Sequence, residues 1–272
     1  MPAIDAGIVA ELLALGVCAG FLAGLMGIGG GIMQVPVLML ILSKKGVPAG
    51  MAVKIAIATS MATIIFTSLS SVRAHHQRGA VRWDLVKAMT PGVVCGGLLA
   101  GAGVFALVKG PHLAAFFALF ICVAATQMLI DRKPAPTREL PGRAGLVSVG
   151  AVLGLLAGLV GAGGAFIAGP FLVWCNVSMH KVVATSAALG FPVALAGTLG
   201  YLISGRNLPQ ALPGAFGYLY LPGLVIVAAA SVFTAPLGAR AAHAMNVRQL
   251  KRYFALAMFV LALYMLYTAI AA

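Results

Sequence analysis

Charged residues divide this chain into eight uncharged, apolar stretches, at 12–43, 55–72, 88–108, 110–130, 144–180, 182–205, 207–239 and 253–272. A membrane-spanning helix needs roughly 20 apolar residues, with a range of about 17–25, and every stretch reaches that length. The chain is 62% hydrophobic and only 8% charged, against about 25% charged residues in a soluble domain. No single water-soluble core accommodates that balance, so the expected class is an all-α polytopic membrane protein. Three stretches exceed one span: 12–43, 144–180 and 207–239. The last divides readily, because N-L-P-Q-A-L-P-G from Asn207 to Gly214 reads as a loop before a helix starting near Ala215.

The other two long stretches repeat each other. Residues 20–36 read G-F-L-A-G-L-M-G-I-G-G-G-I-M-Q-V-P, and residues 154–170 read G-L-L-A-G-L-V-G-A-G-G-A-F-I-A-G-P. Gly20, Gly24, Gly27, Gly29, Gly30 and Pro36 thus recur 134 residues later. The segment Ala58-Thr59-Ser60 recurs as Ala184-Thr185-Ser186, at a spacing of 126. The chain therefore reads as two repeats, 1–130 and 144–272, joined by a proline- and charge-rich linker at 131–143. Broken apolar helices at matching places in two halves point to the binding site of a transporter.

The basic residues distinguish two topologies. If all eight stretches crossed once, Lys and Arg would fall nine to each side, with no bias. If the two glycine-broken stretches are re-entrant hairpins or pairs of short helices, the split becomes 13 to 5. The rich side holds Arg73, Arg78, Arg82, Lys87, Arg132, Lys133, Arg138, Arg143, Lys181, Arg240, Arg248, Lys251 and Arg252; the poor side holds Lys44, Lys45, Lys54, Lys109 and Arg206. Cytoplasmic loops carry such an excess, so the charges favour the hairpin reading. Each half then contains one hairpin and three spanning helices, the second half is inverted, and both termini face away from the cytoplasm. The start, M-P-A-I-D, lacks the positive region of a cleaved signal peptide.

Glycine lets backbone amides approach a ligand closely and adopts positive φ at little cost. A helix beginning after such a turn presents unpaired N–H groups and a dipole favouring negative charge. Two such starts converging inside the bilayer would make an anion site. Candidate ligand contacts are Gly27, Gly29, Gly30 and Gly31 in the first tip, and Gly161, Gly163, Gly164 and Ala165 in the second. The hydroxyls of Thr59, Ser60, Thr185 and Ser186 and the amides of Gln34 and Asn176 complete the set. Gly20, Gly24, Gly154 and Gly158 instead fit close helix packing.

Other features carry less. Lys54, near a helix start, suits snorkelling or steering at an entrance, with Lys181 similarly placed. Arg73, His75, His76 and Arg78 read as a solvated basic loop. Cys18, Cys95, Cys122 and Cys175 form no C-x-x-C pair and behave as small hydrophobes. The five acids, Asp5, Glu11, Asp84, Asp131 and Glu139, lie outside or at the ends of the apolar stretches. Carriers driven through membrane carboxylates are therefore disfavoured. No metal, cofactor or enzymatic motif is expected. Net charge is +13, but it is dispersed over short loops, which argues against nucleic-acid binding. The lipid bilayer and a small anion are the expected partners, and glycine-faced helices are compatible with a homodimer.

The paired glycine signatures with Pro36 and the two Ala-Thr-Ser segments resemble the TauE/SafE family of sulfite and organosulfonate exporters, over almost the whole chain. The second signature departs in having Ala165 where the first has Gly31. The resemblance implies a bacterial inner-membrane secondary carrier of small sulfur-containing anions, sulfite or sulfonates resembling sulfoacetate, moved outward by alternating access. A passive anion channel and an uptake permease for another small organic anion are the alternatives.

Overall fold

In hydrocarbon the backbone must satisfy its polar groups within each segment, and the apolar stretches accordingly form helices. The computed structural model describes residues 5–26, 30–130, 138–208, 213–244 and 247–270. Eight helices there are long and apolar enough to cross a bilayer. They are α1 (Ala6–Met26), α3 (Ala49–His76), the continuous span from α4 (Trp83–Leu98) to α5 (Phe105–Leu107), α6 (Gly110–Ile130), α7 (Arg143–Val160), α9 (Met179–Gly205), α10 (Leu221–Ala244) and α11 (Val247–Ile270). Between α4 and α5 lies one π-helical turn, Leu99–Val104. There Gly101 lies so close to α9 that a Cβ would reach within 2.9 Å of Gly200 Cα.

Two shorter helices complete the hairpins: α2 (Gly31–Lys44) after α1, and α8 (Ala165–Trp174) after α7. Their arms are unequal, 21 against 14 residues and 18 against 10. At about 1.5 Å per residue, each return arm is shorter than a core about 30 Å thick. Lys44 Nζ meets Glu11 Oε1 at 2.7 Å, closing the first hairpin at its base. In the second, Arg138 N–H donates to Trp174 O at 3.2 Å, and its guanidinium lies 4.4 Å from the Trp174 ring centre. Each hairpin therefore begins and ends at one end of the molecule, with its tip inside.

The central pair is α3 and α9, the most buried spans. The most extensive pairings are α1 on α10 and α7 on α4, followed by α6 on α11 and α3 on α9. Glycines bring the outer pairs together. A Cβ at Gly24 would collide with the Ala235 carbonyl, and one at Gly20 would lie 2.5 Å from Ser231 Cα. A Cβ at Gly154 would lie 2.9 Å from Gly97 N, and one at Gly158 2.6 Å from Ala100 Cβ. These four glycines sit at helix contacts, as the small-residue spacing suggested. Large apolar side chains such as Phe233, Val260 and Tyr267 face outward, as a lipid-facing surface requires.

Two expectations are corrected. The helix expected near Ala215 begins at Leu221, because β1 (Ala215–Phe216) and β2 (Leu219–Tyr220) form a small antiparallel hairpin first. Its turn contains Gly217 at φ +55°. The supposed basic loop is largely helix: α3 continues to His76, and His75 is buried rather than solvated. Most of the linker, 131–137, lies outside the described residues.

Candidate functional site

The two hairpin tips meet. A Cβ at Gly31 would collide with the Gly161 carbonyl and lie 2.9 Å from Ala162 Cα. Gly30, at φ +74°, turns the chain into α2, and Gly161, at φ +64°, turns it out of α7. Both conformations are ones that glycine adopts without strain. Neither α2 nor α8 has a side-chain N-cap, so first-turn N–H groups are available and both dipoles present their positive ends. Gly163 lies in the turn before α8, Gly164 occupies its N-cap and Ala165 begins it. Gly27 and Gly29 lie outside the described residues.

Three side chains converge on this contact. Ser60 Oγ is 3.1 Å from Gly161 O, 3.2 Å from Gln34 Oε1 and 3.5 Å from Gly31 O. Its single proton can satisfy only one of these acceptors at a time. Thr63 Oγ1 also reaches Gln34 Oε1, and lies 2.7 Å from Ser60 O. Gln34 is fully buried, yet its Nε2 has no acceptor among the described residues. Ser186, the counterpart of Ser60, is likewise buried with an unpartnered Oγ among the described residues. Leaving such a group unmatched costs about 1–3 kcal/mol, so each orphan marks a place for a further partner. The site is rich in donors, and no carboxylate is among the residues that form it.

The threonines are committed differently. Thr59 Oγ1 accepts the N–H of Tyr220 at 3.0 Å, just before α10. Thr185 Oγ1 accepts the N–H of Arg82 at 3.1 Å, just before α4. Each threonine therefore supports the start of a helix in the opposite half, while its own proton remains able to donate. Asn176 is not brought to the tips. It lies exposed in the turn after α8, at φ +58°, with its N–H bonded to Val173 O at 3.0 Å. Lys54 is half-buried, donates to Ala106 O at 3.3 Å and lies 5.6 Å from the Phe105 and Tyr218 ring centres. Lys181 is exposed. Among the described residues no three His, Cys, Asp or Glu side chains gather as metal ligands.

Thr63 was absent from the sequence reading, although it lies one helical turn after Ser60 and therefore on the same face. Continuing that period along α3 also reaches Thr67 and Ser71. Thr67, Ser68 and Ser71 surround, with Ala23, Gly163, Ala187 and Gly190, a narrow void of about 10 Å³, room for roughly one water. The void adjoins the second tip through Gly163.

The model of the family described as sulfite exporter TauE/SafE matches residues 12–265. A probable membrane transporter protein of Haemophilus influenzae is 32% identical over 255 residues, covering 93% of this chain and 96% of its own length. One from Methanocaldococcus jannaschii is 25% identical over 261 residues, covering 94% of each chain. The probable membrane transporter protein YunE of Bacillus subtilis is 29% identical over 229 residues, covering 75% of this chain and 84% of its own. No solved structure matches. With its eight candidate spans and a match over nearly its entire length, the chain is a multi-pass membrane transporter that belongs to the TauE/SafE family.

Proposed function

We propose that the protein is a secondary carrier of a small sulfur-containing oxyanion, sulfite or a sulfonate, held between the tips and exported by alternating access across a bacterial inner membrane. The observation that carries this reading is the contact of Gly31, at the uncapped start of α2, with Gly161 and Ala162, which lead into the uncapped α8, beside the orphaned Gln34 amide. Donors without acceptors, in a site formed without carboxylates, suit an anion whose oxygens accept several hydrogen bonds. The family description names sulfite, and the three oxygens of a sulfite or sulfonate group can each accept hydrogen bonds from a different donor.

An inverted relation between the halves belongs to the same proposal. Three spanning elements separate the two hairpins, which supports their opening at opposite ends. The packing also supports it: exchanging each element for its counterpart turns α1–α10 into α7–α4 and α3–α10 into α9–α4. The reciprocal Thr59–Tyr220 and Thr185–Arg82 bonds obey the same exchange.

Thermal denaturation of the purified protein with sulfite, ethanesulfonate, sulfoacetate, acetate and chloride tests the substrate class. A bound anion stabilises by about 2.7 kcal/mol at a hundred times its Kd. A concentration-dependent rise with a sulfur anion, absent with chloride, is expected. Equal and negligible shifts across the panel would overturn the reading. Counterflow of labelled ethanesulfonate in liposomes then separates carrier from channel, because only a carrier gives saturable exchange.

A further inference from the structure

A groove of about 410 Å³ opens on the outer surface where α3, α4 and α9 meet. Its walls include Leu69 of α3, Trp83 and Leu98 of α4, and Phe191 and Leu199 of α9. Among the described residues that line it, only two carry a polar side-chain group, and both are committed as donors. Thr90 Oγ1 donates to Val86 O at 2.7 Å, and Trp83 Nε1 donates to His76 Nδ1 at 3.1 Å. The walls therefore ask for hydrocarbon, not for a hydrogen-bonding ligand.

The shape suits an extended chain. Trp83–Leu98 is one α-helix of 16 residues, so at about 1.5 Å per residue the groove runs about 22 Å. That exceeds one leaflet's share, about 15 Å, of a hydrocarbon core about 30 Å thick. Spread over this length, its volume averages about 19 Å² in section, well below the roughly 80 Å² of a helix about 10 Å across. The slot admits a hydrocarbon chain and is too narrow for a helix.

Each wall also carries a cation to the same end. Arg73 lies one turn beyond Leu69 on α3, Lys87 one turn beyond Trp83 on α4, and Lys181 two turns before Ala188 on α9. Helical spacing sets each on the groove's side of its helix. The Arg82 N–H bond to Thr185 Oγ1 holds the start of α4 beside the start of α9, and the short turn after α3 brings its end there too. All three cations are exposed, and none has an ion pair among the described residues. The neighbouring carboxylate, Asp84, is occupied by Arg82, whose Nε lies 2.8 Å from Oδ1. Trp83, its ring edge-on to His76 at 5.5 Å, stands at this mouth, where tryptophan marks the headgroup level of a bilayer.

We propose that the groove is a binding site for an anionic phospholipid. One acyl chain lies along α3, α4 and α9, and the phosphate sits among Arg73, Lys87 and Lys181. Three unpaired cations at the mouth select an anionic headgroup over a zwitterionic one, because each nearby Lys or Arg adds its own attraction. The bound lipid touches both halves of the chain, α3 and α4 from the first and α9 from the second, and so braces the central pair from outside. The site is separate from the tips and independent of the solute carried.

Native mass spectrometry in nonionic detergent, with equal amounts of dioleoylphosphatidylglycerol and dioleoylphosphatidylcholine, tests it. One phosphatidylglycerol per chain should be retained, preferred at least about tenfold. Arg73→Gln, Lys87→Gln and Lys181→Gln combined should abolish the preference. Lys44→Gln, Lys109→Gln and Arg206→Gln combined remove the same charge at the opposite end and should preserve it. Val94→Trp, which fills the groove at a half-buried position, should lose the retained lipid. Equal retention of the two lipids by the unaltered protein would overturn the proposal, as would an equal loss of preference in both triple variants. A second copy of the chain that occupies the face, displaced by Val94→Trp and not by phosphatidylglycerol, would overturn it too. If Val94→Trp lacks a cooperative thermal transition, the two triple variants, altered only at exposed side chains, decide.

Discussion

At the scale of single residues, Gln34 separates stability from binding. Its Nε2 is buried without an acceptor among the described residues, while Ser60 and Thr63 each have another acceptor, Gly161 O and Ser60 O. Gln34→Leu removes the orphan at similar volume, so the apo protein should hold its melting temperature or gain up to about 1–3 kcal/mol. The anion-dependent rise should shrink or vanish. A fall in apo stability would show that the amide is already satisfied. Gly31 offers a second contrast. Gly31→Ala drives a Cβ into the Gly161 carbonyl, whereas Gly46→Ala, at φ +79°, meets no atom within 4 Å. The latter should cost only backbone strain, about 1–2 kcal/mol, and keep anion binding; the former should lose it. The glycines at 30, 31, 161, 163 and 164 were legible in the sequence as chain reversals, because a glycine-rich break recurring in two overlong apolar stretches divides each into two arms. Asn176 was not, since an amide near the end of an apolar stretch looks the same whether it faces a site or completes an exposed turn.

Among elements, the reciprocal threonines make the clearest prediction. Thr59→Val and Thr185→Val each leave a helix-start N–H, of Tyr220 or Arg82, without its acceptor. Each should cost about 1–3 kcal/mol by thermal or denaturant unfolding. If the hydroxyls also donate to the anion, ligand stabilisation falls as well; an unchanged ligand shift would confine both residues to joining helices. The Ala-Thr-Ser repetition was visible in the sequence, but its role required contacts across about 160 residues and so lay beyond local pattern. The unequal hairpin arms were similarly hidden. Apolar length set only the total, 12–43 or 144–180, and the glycine positions divided it without saying which arm would span. The Ala215–Tyr220 hairpin escaped because Ala-Phe-Gly-Tyr-Leu-Tyr continues the apolar character of the following helix.

For the whole molecule, the uneven distribution of basic residues predicts an orientation, and a fusion experiment can decide it. Alkaline phosphatase joined after Ala272 should be active if the C-terminus is periplasmic. The same enzyme placed after Arg78, in the turn between α3 and α4, should be inactive. Activity at both sites would contradict an odd number of crossings between them. The eight apolar stretches and the clustering of basic residues were open to inspection, since length and charge are one-dimensional quantities.

The glycine-lined pairing of α1 with α10 and of α7 with α4 makes the two sequence halves interleave rather than sit side by side. Severing the covalent connection should therefore matter little: fragments 1–130 and 138–272, produced together, should reassemble and withstand extraction in mild detergent. Produced singly, each would display furrows shaped for a missing companion and be degraded.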